Sequence, residues 1–268
     1  MLIALLTALA SSGPITPAPA RHDSEELRLA IEQLGWDSCE RLRVPGVAVA
    51  LVVGGEFAWF QGCGCADVES ERDVTQDTVF NIGSISKTVA ALGVMQLVEQ
   101  GKLSLDLPVE AALSRWKLPE AEFDARGVTL RRLLSHTAGL SLHGYGGFAP
   151  GETLPSIEAS LSGETNGSGD VRIVCEPGTR WQYSGGGYTL AQLMLEEASG
   201  AGFAEYMRAH VLAPLGMQHS DYRWTKEMIE RSATPYDELG RPLPRGGPCF
   251  VEAAAAGLQT TARDMARF

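Results

Sequence analysis

Residues 78–101 read Thr-Val-Phe-Asn-Ile-Gly-Ser-Ile-Ser-Lys-Thr-Val-Ala-Ala-Leu-Gly-Val-Met-Gln-Leu-Val-Glu-Gln-Gly, and no other stretch constrains the chain so strongly. Apolar residues recur at Val89, Leu92, Met95 or Val94, Leu97 and Val98, close to the helical period. Gly101 supplies the left-handed residue that ends a helix. The spacing predicts a tight turn feeding a long buried helix. Ser84 and Lys87 stand three apart at its start, so their side chains are neighbours across one turn.

Serine is a poor nucleophile until a base takes its proton, and lysine serves as that base only when burial or nearby charge destabilises its ammonium. Bringing a lysine from about 10.4 to about 7 costs roughly 4.6 kcal/mol, at about 1.36 per unit. A dry site helped by the positive end of the helix can supply that. The same helix end presents backbone N–H groups, and that of Ser84 is placed to stabilise an oxyanion. Spacing alone is not specific, since nineteen serines and four lysines give about 0.3 such matches by chance. Ser114-Arg115-Trp116-Lys117 also fits, but no long apolar helix follows it and it reads as an exposed loop. For Ser84 the competing reading is an N-cap serine with a solvent lysine one turn on.

A chain of 268 residues with 44% hydrophobic and 21% charged content buries a full core, as one large domain or two lobes. The net charge of −11, without a lysine or arginine cluster, argues against nucleic acid and anionic membranes as partners. Met1 to Ala10 is a short apolar run, and Ala8-Leu9-Ala10 and Ala18-Pro19-Ala20 resemble cleavage sites. Residues 1–20 therefore read either as a signal peptide, which would make the protein exported (periplasmic or secreted), or as a disordered leader or incomplete start, which would leave it cytoplasmic; no basic residue precedes the run. No stretch is long enough for an integral membrane helix. The five cysteines form no C-x-x-C pair and no metal-ligand spacing with the five histidines, so they read as free thiols. No spacing implies a metal or an organic cofactor.

Asp23 or Ser24 caps a first helix with Leu27, Ile31, Leu34 and Leu42 on one stripe, ended by Pro45-Gly46. Val47 to Val53 and Glu56 to Gln61 form a hairpin across Gly54-Gly55. Beyond residue 78 the pattern is almost wholly helical, with segments at Leu130 to Ser135, Ser156 to Leu161, Thr189 to Ala198, Phe203 to Leu212, Lys226 to Arg231 and from Ala262 onward. The class is α+β: an antiparallel sheet with flanking helices over about 21–77, then a large helical lobe over about 78–268. Two strands do not make a stable sheet alone and no partner strand is legible downstream. The sheet is therefore expected to be incomplete, in a C-terminally truncated chain. Residues 141–154 form a glycine-rich, aromatic loop placed to overhang a pocket, which makes Tyr145 a candidate substrate-binding residue.

Tyr183 lies in Pro-Gly-Thr-Arg-Trp-Gln-Tyr-Ser-Gly-Gly-Gly-Tyr, a tight turn before a helix. A phenol beside a cation can relay a proton, and a turn tyrosine that merely packs is the alternative. In order and spacing, Pro45-Gly-Val-Ala-Val-Ala, Asp77-Thr-Val-Phe80, Ser84-Ile-Ser-Lys87, Leu133-Leu-Ser-His-Thr-Ala-Gly-Leu140, Tyr183-Ser-Gly185 and Pro214-Leu-Gly-Met217 follow one pattern. The sequence resembles the serine beta-lactamase and penicillin-binding superfamily, in its class C-like branch with esterase and D,D-peptidase relatives.

The resemblance implies a beta-lactamase/transpeptidase-like fold and acyl transfer to a small-molecule ester, amide or peptide. Ser84 would attack the carbonyl, Lys87 and Tyr183 would handle the proton, and Gly185 would stand in the substrate-binding position after Tyr-Ser. Ser86 and His136 would be structural. Two departures stand out. Gly185 occupies the place of an asparagine that holds the substrate's amide in lactamases of this kind, which favours an esterase- or peptidase-like hydrolase over a true lactamase. The third motif, Lys-Thr-Gly or His-x-Gly, does not occur. A catalytically silent ligand-binding relative is the alternative from another class. No Gly-x-Ser-x-Gly elbow occurs, as an alpha/beta-hydrolase would need.

Overall fold

The computed structural model describes residues 21–268, so the leader expected at 1–20 lies outside the described residues. Helix α1 (Arg21–Leu42) begins before both expected caps and leads into an antiparallel hairpin of β1 (Gly46–Val53) and β2 (Glu56–Asp67). The hairpin turns at Gly54-Gly55, with Val47 opposite Cys63 and Ala50 opposite Phe60. Strand β3 (Arg72–Asp73) adds to the far edge of β2, giving the order β1-β2-β3. A second small sheet pairs β4 (Phe80–Asn81) with β5 (Gln259–Thr260). Among the described residues β5 pairs only with β4, no strand beyond β3 joins the hairpin, and a pair as short as β4-β5 has no periodic signature in sequence.

The leucine stripe expected for α1 does not face the sheet. Leu27, Leu34 and Leu42 are about half exposed, whereas Gly35 is buried with Ile31 and Cys39 beside it. A Cβ at Gly35 would stand 2.7 Å from Cys63 Sγ, so the missing side chain is what lets helix and strand approach.

The helical part contains α2 (Ser86–Glu99), α3 (Val109–Ala112), α4 (Leu130–Leu134), α5 (Ile157–Leu161), α6 (Gly185–Ser199), α7 (Phe203–Met207), α8 (Lys226–Arg231), α9 (Ala253–Ala256) and α10 (Ala262–Met265). A π-helical stretch, Arg208–Leu212, continues α7. Side-chain hydroxyls of Thr129, Ser156, Thr225 and Thr261 cap α4, α5, α8 and α10, each satisfying a backbone N–H that the helix leaves free.

Helix α2 buries Val89, Ala90, Gly93, Val94 and Leu97. Leu92 and Met95, expected on that stripe, lie on its exposed side. Gly93 brings α2 against Met207, which turns the buried face by one residue from the purely hydrophobic reading. Helix α6 is buried from Gly185 to Leu195 and packs against α2, α4 and α9, forming the axis of the core. Among the described residues no helix is long and apolar enough to cross a membrane.

Candidate active site

Strand β4 ends at Asn81, and the chain turns at Gly83, whose φ of +53° is a left-handed value that favours glycine. A 3-10 turn, Gly83–Ile85, then passes into α2, so Ser84 sits exposed just ahead of the helix rather than inside it. Lys87, one turn further on, is only 5% exposed. Its Nζ lies 3.0 Å from Ser84 Oγ and 2.7 Å from the carbonyl oxygen of Ala255. Burial holds its pKa down at about 8, and no carboxylate opposes that shift. Among the described residues the backbone N–H of Ser84 donates to no protein acceptor, which leaves it available to an oxygen in the cleft. The other Ser-x-x-Lys match has none of this: Ser114 bonds Glu197 on the surface and Lys117 is exposed.

Three polar side chains fix the frame behind Lys87. Ser86 Oγ donates to Gly83 O at 2.5 Å and accepts from Leu258 N at 2.9 Å, a structural role as expected. Asn81 reaches Ala256 O and the N–H of Gly83, both at 3.1 Å. The Gln192 amide donates to Val251 O at 3.0 Å and accepts from Ala254 N at 2.9 Å. Together they hold α9, and so the Ala255 carbonyl that receives the Lys87 amine.

Tyr183 arrives from the segment before α6, with its ring centroid 4.9 Å from Lys87 Nζ. It stacks between His136, at 4.3 Å, and His143, at 4.7 Å. Among the described residues no hydrogen bond joins its hydroxyl to Ser84 or Lys87. His136 is clamped at both ends, its carbonyl accepting from Gln182 N at 2.7 Å and its Nδ1 from Ser184 N at 3.2 Å. Burial first, then Lys87 and His143, bring its pKa to about 4, so it stays a neutral acceptor that braces the Tyr183 segment.

The expected turn at residues 185–187 is the first turn of α6, capped by Ser184, whose Oγ accepts from Gly187 N at 3.0 Å. The glycines are there for packing. A Cβ at Gly186 would stand 2.7 Å from Val171 Cγ2, and one at Gly185 would stand 3.1 Å from His143 O and 3.2 Å from the Tyr145 ring. Tyr145 therefore fills the space beside Gly185, and its hydroxyl pairs with Thr189 Oγ1 at 2.7 Å. Neither residue is in the cleft wall. A cleft of about 700 Å³ above Ser84 is lined instead by Leu142, His143, Gly144, Trp181, Gln182 and Tyr183. Sequence reasoning does not single out His143 and Trp181, although both lie in stretches that it marks. Among the described residues no group of three or more His, Cys, Asp or Glu is arranged to hold a metal.

The layout of small antiparallel sheets and packed helices is that of the beta-lactamase/transpeptidase-like fold. The chain belongs to the beta-lactamase family of serine hydrolases, whose family model matches residues 27–268. It is 29% identical over 243 residues to esterase EstB of Burkholderia gladioli, covering 87% of this chain and 60% of the esterase. It is 29% identical over 220 residues to penicillin-binding protein 4* of Bacillus subtilis (strain 168), covering 81% of this chain and 46% of that protein. The chain therefore spans about half the length of these relatives. An octameric penicillin-binding protein homologue from Pyrococcus abyssi superposes with a TM-score of 0.71 at 31% identity, over 91% of this chain and 55% of that one. A class C beta-lactamase superposes at 0.72 with 24% identity, over 93% of this chain and 65% of that one, which speaks for the fold alone.

Proposed function

We propose that this chain is a serine hydrolase that forms an acyl-enzyme on Ser84 and hydrolyses a small ester or amide. The observation that carries the reading is the Lys87 amine, buried, with its pKa drawn to about 8, 3.0 Å from Ser84 Oγ. At that pKa about a tenth of the amine is free base at pH 7, enough to accept the hydroxyl proton. Ser84 Oγ attacks the carbonyl carbon while its proton passes to Lys87 Nζ, and the Ser84 N–H receives the developing oxyanion. The intermediate collapses as the leaving oxygen or nitrogen takes a proton from the Lys87 ammonium, with the Tyr183 phenol beside it. Water then attacks the acyl-enzyme, giving its proton to the same amine, which passes it to Ser84 Oγ as the ester bond breaks, so the acid leaves and both groups are restored.

An ester- or peptide-directed activity is favoured over beta-lactam hydrolysis. The space where an asparagine amide would project from position 185 is taken by the His143 carbonyl and the Tyr145 ring. A fluorophosphonate probe should label the protein, and Ser84→Ala should abolish the label. Turnover of a p-nitrophenyl ester without turnover of nitrocefin would agree with the ester-directed reading. No labelling of the intact protein would overturn the hydrolase reading in favour of a silent ligand binder.

A further inference from the structure

Trp181 is 67% exposed, more than any other aromatic residue among the exposed large apolar side chains, and it stands in the wall of the cleft above Ser84. Leaving so large an apolar surface in water is unfavourable unless something covers it, and concave sites near reactive groups are where such surfaces are used. Its neighbours do not cover it. The His136 ring meets it edge-on at 6.1 Å and the Tyr183 ring is tilted at 6.3 Å, which leaves an indole face open. His143 extends the aromatic surface beyond Tyr183. No aspartate, glutamate or arginine lines the cleft among the described residues, the Lys87 amine lies behind Ser84, and Gln182 spends its amide on Leu140 O and Arg180. The wall thus offers planar apolar faces and few polar handles.

We infer that Trp181 forms the acyl subsite, selecting substrates whose acyl group carries an aromatic ring that stacks on the indole. The inference rests on Ser84 being the acylated residue and adds which acyl groups reach it. Offset stacking of this kind is worth about fivefold in affinity.

The test protects Ser84 of the full chain from fluorophosphonate labelling with phenylboronic acid or methylboronic acid, both of which add reversibly to an active serine. The ratio of their protecting concentrations in wild type is compared with that in Trp181→Ala and Trp181→Phe. The phenyl advantage should fall about fivefold in Trp181→Ala and survive largely in Trp181→Phe. The preference for p-nitrophenyl phenylacetate over p-nitrophenyl acetate in kcat/KM should fall in parallel. Because the label itself reports a folded, reactive serine, a misfolded variant is recognised at once. An unchanged phenyl advantage in a labelled Trp181→Ala overturns the subsite and leaves the hydrolase reading standing. Absence of labelling in wild type overturns both.

Discussion

Lys87→Met separates what the buried amine costs from what it does. Burial lowers the lysine pKa from 10.5 to about 8. Between those values the unfolded chain binds more protons than the folded one, so the stability contributed at this site rises with pH across the window. At pH 7 the penalty for folding around the ammonium is about 3 kcal/mol, and by pH 10 it is below about 1 kcal/mol. Methionine keeps the length of the side chain without the charge. It gives up the hydrogen bond to the Ala255 carbonyl, a loss of about 1–2 kcal/mol for a buried acceptor. The variant should therefore be more stable than wild type at pH 7 by about 1–2 kcal/mol, which is about 2–6 °C in Tm for a chain of this size. At pH 10 it should be equal or less stable. Denaturant unfolding of both proteins at the two pH values reads this directly, because the lost hydrogen bond is common to both and cancels in the difference. A wild type–variant gap that does not move between pH 7 and pH 10 would refute the desolvated lysine.

Gly185→Asn should not create a lactamase. The added Cβ meets the His143 carbonyl at 3.1 Å, and the crowding should cost about 1–3 kcal/mol in unfolding experiments, with nitrocefin still unhydrolysed. Gln192→Leu strands the buried Ala254 N–H and the partly buried Val251 carbonyl, and should destabilise by about 1–4 kcal/mol. Because α9 then holds the Ala255 carbonyl less firmly and water enters, the acid limb of kcat/KM should move upward from about 8. An unmoved limb would make Gln192 a packing residue only.

The parts of the site legible in sequence are those whose chemistry is local. Ser84 and Lys87 share one helical turn, and the apolar run after them marks the helix that buries the lysine. The hairpin is legible from Gly54-Gly55 between two β-rich runs. The start of α6 is not, because three consecutive glycines have the signature of a turn, and only the contacts of Gly185 and Gly186 with His143 and Val171 explain why glycine is wanted inside a helix. The outward face of α1 escapes a hydrophobic reading for a related reason, since Gly35 sets the approach to Cys63 and the leucines follow from it. Least visible of all is α9. Four alanines carry no amphipathic period, yet they supply the Lys87 acceptor from 168 residues away. The wall residues His143 and Trp181 lie in stretches the sequence marks but are not singled out within them, because side chains facing a cleft obey no period.

Two influences oppose each other at the Lys87 amine, and their sizes decide its state. The Tyr183 and Tyr188 rings, centred 4.9 and 5.7 Å from Nζ, present π-surfaces that favour the cation by about 0.5–2 kcal/mol. Burial disfavours it by about 3 kcal/mol. Desolvation outweighs the rings, so the amine is poised near neutrality instead of being locked as ammonium. In the proposed reaction, where the amine takes a proton from Ser84, the same rings and the Ala255 carbonyl would stabilise the ammonium that results. The Ala255 carbonyl has a fixed place because Gln192, Asn81 and Ser86 tie α9 to the turn that carries the serine. The residues that set the basicity of the amine are thus the ones that close the core around it, and a change in one is felt in the other.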